Sequence, residues 1–276
     1  MPELPEVETV ARGVHDRVRG QRIAEVWFGS KPQTFKASPA RQARILEGRT
    51  ILAVHRTGKH IVVELASTPR ATASDAQWIV HLGMTGRLLV TTPDAPVVAH
   101  THARLTLSGG RELRFVDPRR FGRLDILDLG KSSTFAPAGA EPLTIEAEPF
   151  AALFHGRKLA IKAALLNQSL LTGVGNIYAD ESLFHAGIRP RRPSGRLTRA
   201  ELEALRIALR DVLTRAIARG GSSVSDYVDA NGVRGFFQLE HRVYQRTGEP
   251  CLVCSTPIRR ILVAGRGTHY CPTCQH

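Results

Sequence analysis

All four cysteines of the chain lie in its last 26 residues, as Cys251-x2-Cys254, a gap of sixteen, then Cys271-x2-Cys274. Two thiols three positions apart offer a metal two ligands from one tight turn, and the second such turn completes a tetrahedral set. The spacing predicts a four-thiolate zinc ribbon, and the thiol-free remainder of the chain argues against a disulfide scaffold spread through it. Two local disulfides or free thiols are the competing readings of the same residues. Four protein thiolates leave no open coordination position, so the expected cofactor is one structural Zn2+ and not a catalytic one. Zinc binding by small folds is worth about 10 to 16 kcal/mol, comparable to the stability of a whole domain, so a hairpin this short should lose its shape without metal. The hairpin presents Arg259, Arg260, Arg266 and His269, a basic tip that suits phosphate contact as well as plain solvation.

The rest of the chain needs a different kind of core. Its 276 residues, 42% of them hydrophobic, exceed one ordinary domain and exclude a disordered polymer. Lys and Arg number 38 against 25 Asp and Glu, and the resulting charge of +13 attracts polyanions, nucleic acid first among them. An anionic membrane would be attracted too. No apolar run reaches the roughly 18 residues of a spanning helix, and no signal-peptide pattern opens the chain, so a cytoplasmic protein with no membrane partner is expected.

Val7, Val10, Ala11, Val14 and Val18 recur at helical spacing behind Pro5, Glu6 and Glu8, which predicts an amphipathic helix over 5–19. Short β-type runs follow at about 22–28, 49–56, 60–65, 78–82, 87–91, 103–108, 112–116 and 123–128, the pattern of a sandwich or barrel. Residues 66–77 and 92–99 read as solvent loops. The aperiodic Ser, Pro, Gly and Ala stretch at 131–147 marks a domain boundary. Helices are expected beyond it at about 149–155, 159–168, 176–186 and 199–219, the last opened by a Thr198 and Glu201 capping box and closed by Gly220 and Gly221.

Three further segments could carry chemistry. Met1-Pro2-Glu3-Leu4-Pro5-Glu6 permits removal of Met1, which would leave Pro2 with a free secondary amine able to attack a sugar C1′ and form an iminium, with Glu3 beside it to shuttle protons. The same residues also make a plain helix start. Thr172-Gly173-Val174-Gly175-Asn176-Ile177-Tyr178 is a glycine turn opening a helix, a seat for a phosphate or only a turn. Asp117-Pro118-Arg119-Arg120-Phe121-Gly122 offers an arginine for a base edge and an aromatic wedge, or a hairpin turn with a buried Phe. His100 and His102 flank a strand and could touch DNA or simply be solvated, and Trp27 and Trp78 read as core residues.

The opening Pro2-Glu3-Leu4-Pro5-Glu6-Val7-Glu8-Thr9, Gly58-Lys59, His81-Leu82-Gly83-Met84-Thr85-Gly86, Asp117 to Gly122, Gly173 to Tyr178, Gly220 to Ser223 and the cysteine ribbon occur in one order along nearly the whole chain. In that combination the chain resembles the formamidopyrimidine-DNA glycosylases, the family shared with endonuclease VIII. The resemblance implies an α+β fold: an N-terminal β-sandwich with its leading helix, a C-terminal helical domain with a helix-two-turn-helix, and a terminal zinc ribbon. The corresponding domains are 1–135, 147–235 and 240–276.

The resemblance also implies a bifunctional DNA glycosylase and AP lyase of base excision repair. It would act as a monomer on damaged double-stranded DNA held between its domains. Oxidised purines such as 8-oxoguanine and formamidopyrimidines would leave through a Schiff base on Pro2, followed by β,δ-elimination. Carried over residue by residue, Pro2 is the nucleophile, Glu3 the general acid/base and Lys59 a cation that assists at the lesion. Met84, Arg119 and Phe121 fill the hole left by the extruded nucleotide. Asn176 and Arg266 grip the flanking phosphates, and the loop with Ser222, Ser223 and Tyr227 closes over the base. The rival readings are an endonuclease VIII type enzyme acting on oxidised pyrimidines, and a DNA or RNA binder that does not cut. Substrate comparison separates the first and strand scission the second.

Overall fold

The structure is a computed structural model that describes residues 1–68, 70–223 and 227–276. Its contacts divide the described residues into two units, Met1–Ala136 with Gly220–Phe236, and Pro137–Arg219 with Phe237–His276. The chain thus leaves the first unit, builds most of the second, and returns briefly to the first before it finishes in the second.

Helix α1 (Leu4–Val18) opens the first unit. Pro5 sits in the first turn, where a missing N–H costs nothing, and the Glu6 carboxylate closes the helix start by accepting the Glu3 N–H at 2.8 Å. The predicted valine row is buried along one face. Around it lie β1 (Ile23–Phe28), α2 (Pro39–Leu46), β2 (Thr50–Thr57), β3 (His60–Ala66), β4 (Ala76–His81), β5 (Arg87–Thr91), β6 (Thr101–Leu107), β7 (Glu112–Val116) and β8 (Arg123–Asp128). The strands form two antiparallel four-stranded sheets, in the orders β1-β6-β7-β5 and β2-β3-β4-β8. Val7, Val10 and Val14 of α1, Trp78 and Val80 of one sheet, and Leu105 and Phe115 of the other share a single apolar cluster. This is the expected β-sandwich with its leading helix.

Strand β4 begins earlier than its apolar run, at Ala76, because Ala76 pairs with both Leu65 and Asp128, and that register is set by strands distant in sequence. Helix α2 is absent from the sequence reading. It has only eight residues, and its signals are local ones: Ser38 caps it by accepting the Arg41 N–H at 3.3 Å, and Pro39 begins it. What holds it is Gln42, fully buried, whose amide nitrogen donates to the carbonyls of Ala37 at 2.9 Å and Leu124 at 3.2 Å. Its oxygen accepts the Trp78 indole N–H at 3.2 Å, so the polar end of the core tryptophan is satisfied.

Trp78 is core as expected, but Trp27 is not. Strand β1 is a sheet edge, its pairing shifts between Ile23 and Glu25, and Trp27 lies 44% exposed. An apolar residue type does not report which face of an edge strand it occupies.

In the second unit α3 (Ala147–Ala152), α4 (Ile161–Leu166), α5 (Asn176–His185) and α6 (Arg199–Ala218) precede the hairpin of β9 (Arg259–Val263) and β10 (Arg266–Tyr270). Helices α4 and α5, with the turns between them, are the helix-two-turn-helix. Helix α3 is shorter than its apolar pattern because the pattern runs on into a buried turn: Phe154 packs edge-on against Phe150 outside the helix. The capping box of α6 is present, and Arg192, hydrogen-bonded to both oxygens of Glu201, holds that carboxyl down at about 2. No helix among the described residues is long and apolar enough to cross a membrane.

Replacing Gln42 by Leu strips the partner from the buried Trp78 N–H and from the Ala37 carbonyl, each worth about 1–3 kcal/mol when left unmade, while the Leu124 carbonyl keeps the Lys36 N–H at 2.9 Å. We expect a loss of about 3 kcal/mol in urea unfolding with an unchanged slope; a loss within experimental error would show that α2 is not clamped this way.

Candidate active site and metal centre

The start of α1 buries Pro2, Glu3 and Glu6 together. Glu6 is the anchor. One of its oxygens accepts the Glu3 N–H and the other accepts the Ser222 N–H at 2.7 Å, so the N-terminal segment and the 220–236 loop meet on one carboxylate. The Tyr227 hydroxyl donates to the Glu6 carbonyl at 3.3 Å, and burial pushes that phenol well above its ordinary range. Ser223 closes the loop upon itself: its hydroxyl donates to the Tyr227 carbonyl at 2.9 Å and accepts the Gly235 N–H at 2.9 Å.

Lys59, nine-tenths buried, occupies the two-residue turn between β2 and β3. Arg56 ties that turn to α1, donating to Glu8 at 2.9 Å and to the Gly58 carbonyl at 3.2 Å. Pro2, Glu3 and Lys59 therefore stand on two elements that pack directly against each other.

A second constellation joins the β4–β5 and β7–β8 turns. Gly83 has φ +64°, and a side chain there would lie 2.5 Å from the Phe121 carbonyl carbon and the Gly122 nitrogen, so only glycine lets the two turns touch. Asp117, fully buried, welds them: one oxygen accepts the Thr85 hydroxyl at 2.6 Å and the other the Gly122 N–H at 2.7 Å. The weld leaves Met84 and Phe121 projecting, 38% and 49% exposed, with the Arg119 guanidinium 4.7 Å from the centre of the Phe121 ring. His102 lies beneath, only 4% exposed, its Nε2 3.0 Å from the Asp117 carbonyl, while His100 is at the surface. His81 finishes β4, and its Nδ1 accepts the Gly83 N–H at 3.1 Å. Burial, then the neighbouring His60, Lys59, Lys36 and Arg123, lower its imidazole to about 4, so the ring is neutral and remains an acceptor at neutral pH.

In the second unit Asn176 begins α5 and donates to the Gly267 carbonyl at 2.9 Å, which Lys162 also reaches at 3.0 Å. Lys162 pairs with Asp180 at 2.6 Å, both fully buried, and Asp180 accepts the His269 N–H at 2.8 Å. Strand β10 is thereby fixed next to Asn176, and Arg266 at its start stands exposed.

The four cysteine sulfurs lie within 4.8 Å of one another. Cys251 and Cys274 are 3.8 Å apart, and Cys254 and Cys271 3.4 Å, far beyond a disulfide bond of about 2.05 Å. Four ligands at about 2.3 Å from a tetrahedral zinc are separated by roughly 3.8 Å, so the set fits that ion. Backbone N–H groups of Val253 and Cys274 point at the sulfurs of Cys251 and Cys271, the kind of support thiolates need.

The sequence reading names Glu6 only as a first-turn acid and does not single out Asp117 as a weld, His81 as an acceptor, or Lys162 and Asp180. An acid directly before Pro-Arg-Arg, and adjacent acids on a mostly buried helix, are the available signals.

The chain is similar to known proteins over its whole length. The family profile "Formamidopyrimidine-DNA glycosylase N-terminal domain" matches residues 1–124, "Formamidopyrimidine-DNA glycosylase H2TH domain" 138–228, and "Zinc finger found in FPG and IleRS" 248–276. The formamidopyrimidine-DNA glycosylase of Solibacter usitatus is 47% identical over 275 residues, spanning 100% of this chain and 99% of its own. The crystal structure of MutM (Fpg) from Thermus thermophilus is similar at TM-score 0.85 and 41% identity, covering 99% of this chain and 98% of that one. A complex of Lactococcus lactis Fpg with DNA containing an abasic site is similar at TM-score 0.87 and 34% identity, covering 99% of both chains.

His81 also makes stability depend on pH. Unfolded, its imidazole titrates near 6.5, and folded at about 4, so the stabilisation is complete above pH 6.5 and is lost as the pH falls towards 4. Urea midpoints measured from pH 8 to pH 4 should fall more for the unsubstituted protein than for His81→Asn; equal falls would contradict the assignment.

Proposed function

Because the chain belongs to the formamidopyrimidine-DNA glycosylase family, we propose that it is a bifunctional DNA glycosylase and AP lyase of base excision repair that removes oxidised purines. The observation that carries this reading is the joint burial of Pro2 and Glu3 at the start of α1, with Lys59 on the turn that Arg56 ties to the same helix.

Once Met1 is removed, Pro2 presents a secondary amine at the head of the helix. Its nitrogen attacks C1′ of the damaged nucleotide as the oxidised base leaves, and the resulting iminium draws electrons from C2′. Glu3 moves protons as the sugar ring opens and C2′ loses its hydrogen, after which the 3′ and then the 5′ phosphate depart. Lys59 places positive charge beside the lesion during base loss.

Extruding a base costs a few kcal/mol, and the projecting residues offset it. Met84 and Phe121 enter the stack, and Arg119, kept beside Phe121, faces the orphaned base. His100 touches the strand, while His102 contributes from beneath through the Asp117 carbonyl. Asn176 and Arg266 hold the phosphates on either side of the lesion, so Arg266 serves catalysis through position. Ser222, Ser223 and Tyr227 belong to a loop that closes over the extruded base. The chain acts as a monomer on damaged duplex DNA. Cys251, Cys254, Cys271 and Cys274 hold one zinc ion, which supplies rigidity to the hairpin carrying Arg266.

Borohydride reduction in the presence of a duplex carrying 8-oxoguanine opposite cytosine should trap the protein covalently, and mass mapping should place the adduct on Pro2. No adduct, from protein whose N-terminus is confirmed as free Pro2, would sink the reading; an adduct only with oxidised pyrimidines would move the chain to the endonuclease VIII type.

The purified protein should contain about one zinc per chain. Removing it with a strong chelator should make four thiols reactive towards a thiol reagent and weaken DNA binding; four freely reactive thiols in metal-free, fully DNA-competent protein would refute a structural zinc.

A further inference from the structure

On the sandwich unit, at the edge strand β1, a pocket of about 480 Å³ is lined by Trp27, Lys31, His100, Pro118 and Arg120, among others. Its volume falls in the range of small-ligand sites. None of the residues lining it is acidic, and Lys31, His100 and Arg120 are all exposed on its rim. The wall is the indole of Trp27, whose N–H has no protein partner among the described residues. The indole runs beside Gly29, where a Cβ would lie in ordinary contact with it at 3.5 Å.

The rim is also held in an unusual backbone state. His100 and Arg120 have φ of 65° and 56°, a left-handed conformation that non-glycine residues adopt at a cost and that concentrates at binding sites. Each is pinned through its carbonyl, His100 by the Asp117 N–H at 3.0 Å and Arg120 by the Arg123 guanidinium at 3.0 Å. An exposed aromatic plane bordered by cations and free of carboxylates is the combination that takes a base by stacking and its phosphate by charge.

We propose that this pocket is a nucleotide subsite, in which one unstacked deoxynucleotide lays its base on Trp27 and its phosphate against Lys31 and Arg120. Pro118 and Arg120 lie on the same turn as Arg119 and Phe121, so the subsite adjoins the wedge and would hold a nucleotide of the bound strand outside the lesion. In that respect the proposal rests on the DNA-repair reading above. A free nucleotide has the same chemistry, and the test separates the two sources.

The chain has two tryptophans, and Trp78 is fully buried, so a change in accessible indole emission reports on Trp27. An undamaged single-stranded oligo(dA) should quench that emission at low salt, and dAMP should do so only at far higher concentration. Trp27→Leu should abolish the quenching and weaken oligonucleotide binding about 10-fold, the scale of one stacked base. Lys31→Ala should keep the indole and lower the affinity of the quenching, with a shallower salt dependence. Absence of quenching, or equal binding by Trp27→Leu with its circular dichroism unchanged, would overturn the subsite. Equal potency of dAMP and oligo(dA) would overturn its assignment to a DNA strand. Base release from a lesion duplex by the same unsubstituted preparation tests the repair reading separately: release without quenching removes the subsite alone, and quenching without release removes the activity alone.

Discussion

A single desolvated carboxylate organises the N-terminal site. Glu6 lies in the first turn of α1, where the helix dipole favours negative charge, and its two oxygens accept backbone N–H groups from residues 216 positions away in one case and three in the other. A buried carboxylate without such partners is expensive, so the Glu3 N–H and the Ser222 N–H are not incidental contacts. They fix where the chain before α1 runs and where the 220–236 loop begins. Gly221 completes the constraint. With φ +81° and with Glu6 Oε1 2.9 Å from where a Cβ would sit, a side chain at that position would be both strained and crowded against the carboxylate.

The same device recurs. Asp117 welds two turns through Thr85 and Gly122, Asp180 receives β10 through His269, and Glu181 accepts three consecutive N–H groups from Arg242, Val243 and Tyr244 at 2.8 to 3.0 Å. All four acids are buried. Burial, with the adjacent Asp180 adding to it, raises the Glu181 carboxyl above its ordinary range, and the three N–H groups pull against that shift. In a chain of net charge +13 these acids turn inward as backbone clamps, while Arg119, Arg120 and Arg266 stand outward. The sign of the surface is thus linked to how the loops are held.

This division explains what the sequence reveals. Features encoded by local spacing are readable: the valine row of α1, the capping box of α6, the paired CxxC turns. Features decided by distant partners are not. Helix α2 depends on Gln42 reaching Trp78 and Leu124, and β4 acquires its first residue from strands on both sides. Trp27 reads as core from its residue type because only the sheet order puts it on an edge. The candidate site divides likewise. Pro2, Glu3, Lys59, Met84, Arg119 and Phe121 stand in recognisable motifs; Glu6 and His81 lie in the same motifs, but their hydrogen-bonding roles appear only when loops meet them.

The ribbon shows how the two kinds of information combine. Four thiolates can shape the hairpin, but they do not by themselves aim it. Aim comes from α5, on which Asn176, with Lys162 of α4, reaches the Gly267 carbonyl while Asp180 takes the His269 N–H, bracketing the strand that begins with Arg266. Phe184 of the same helix packs in one cluster with Cys251 and Cys271. The metal-ligand motif therefore sets the rigidity of the hairpin that carries Arg266, and a polar network scattered over a hundred residues sets its direction.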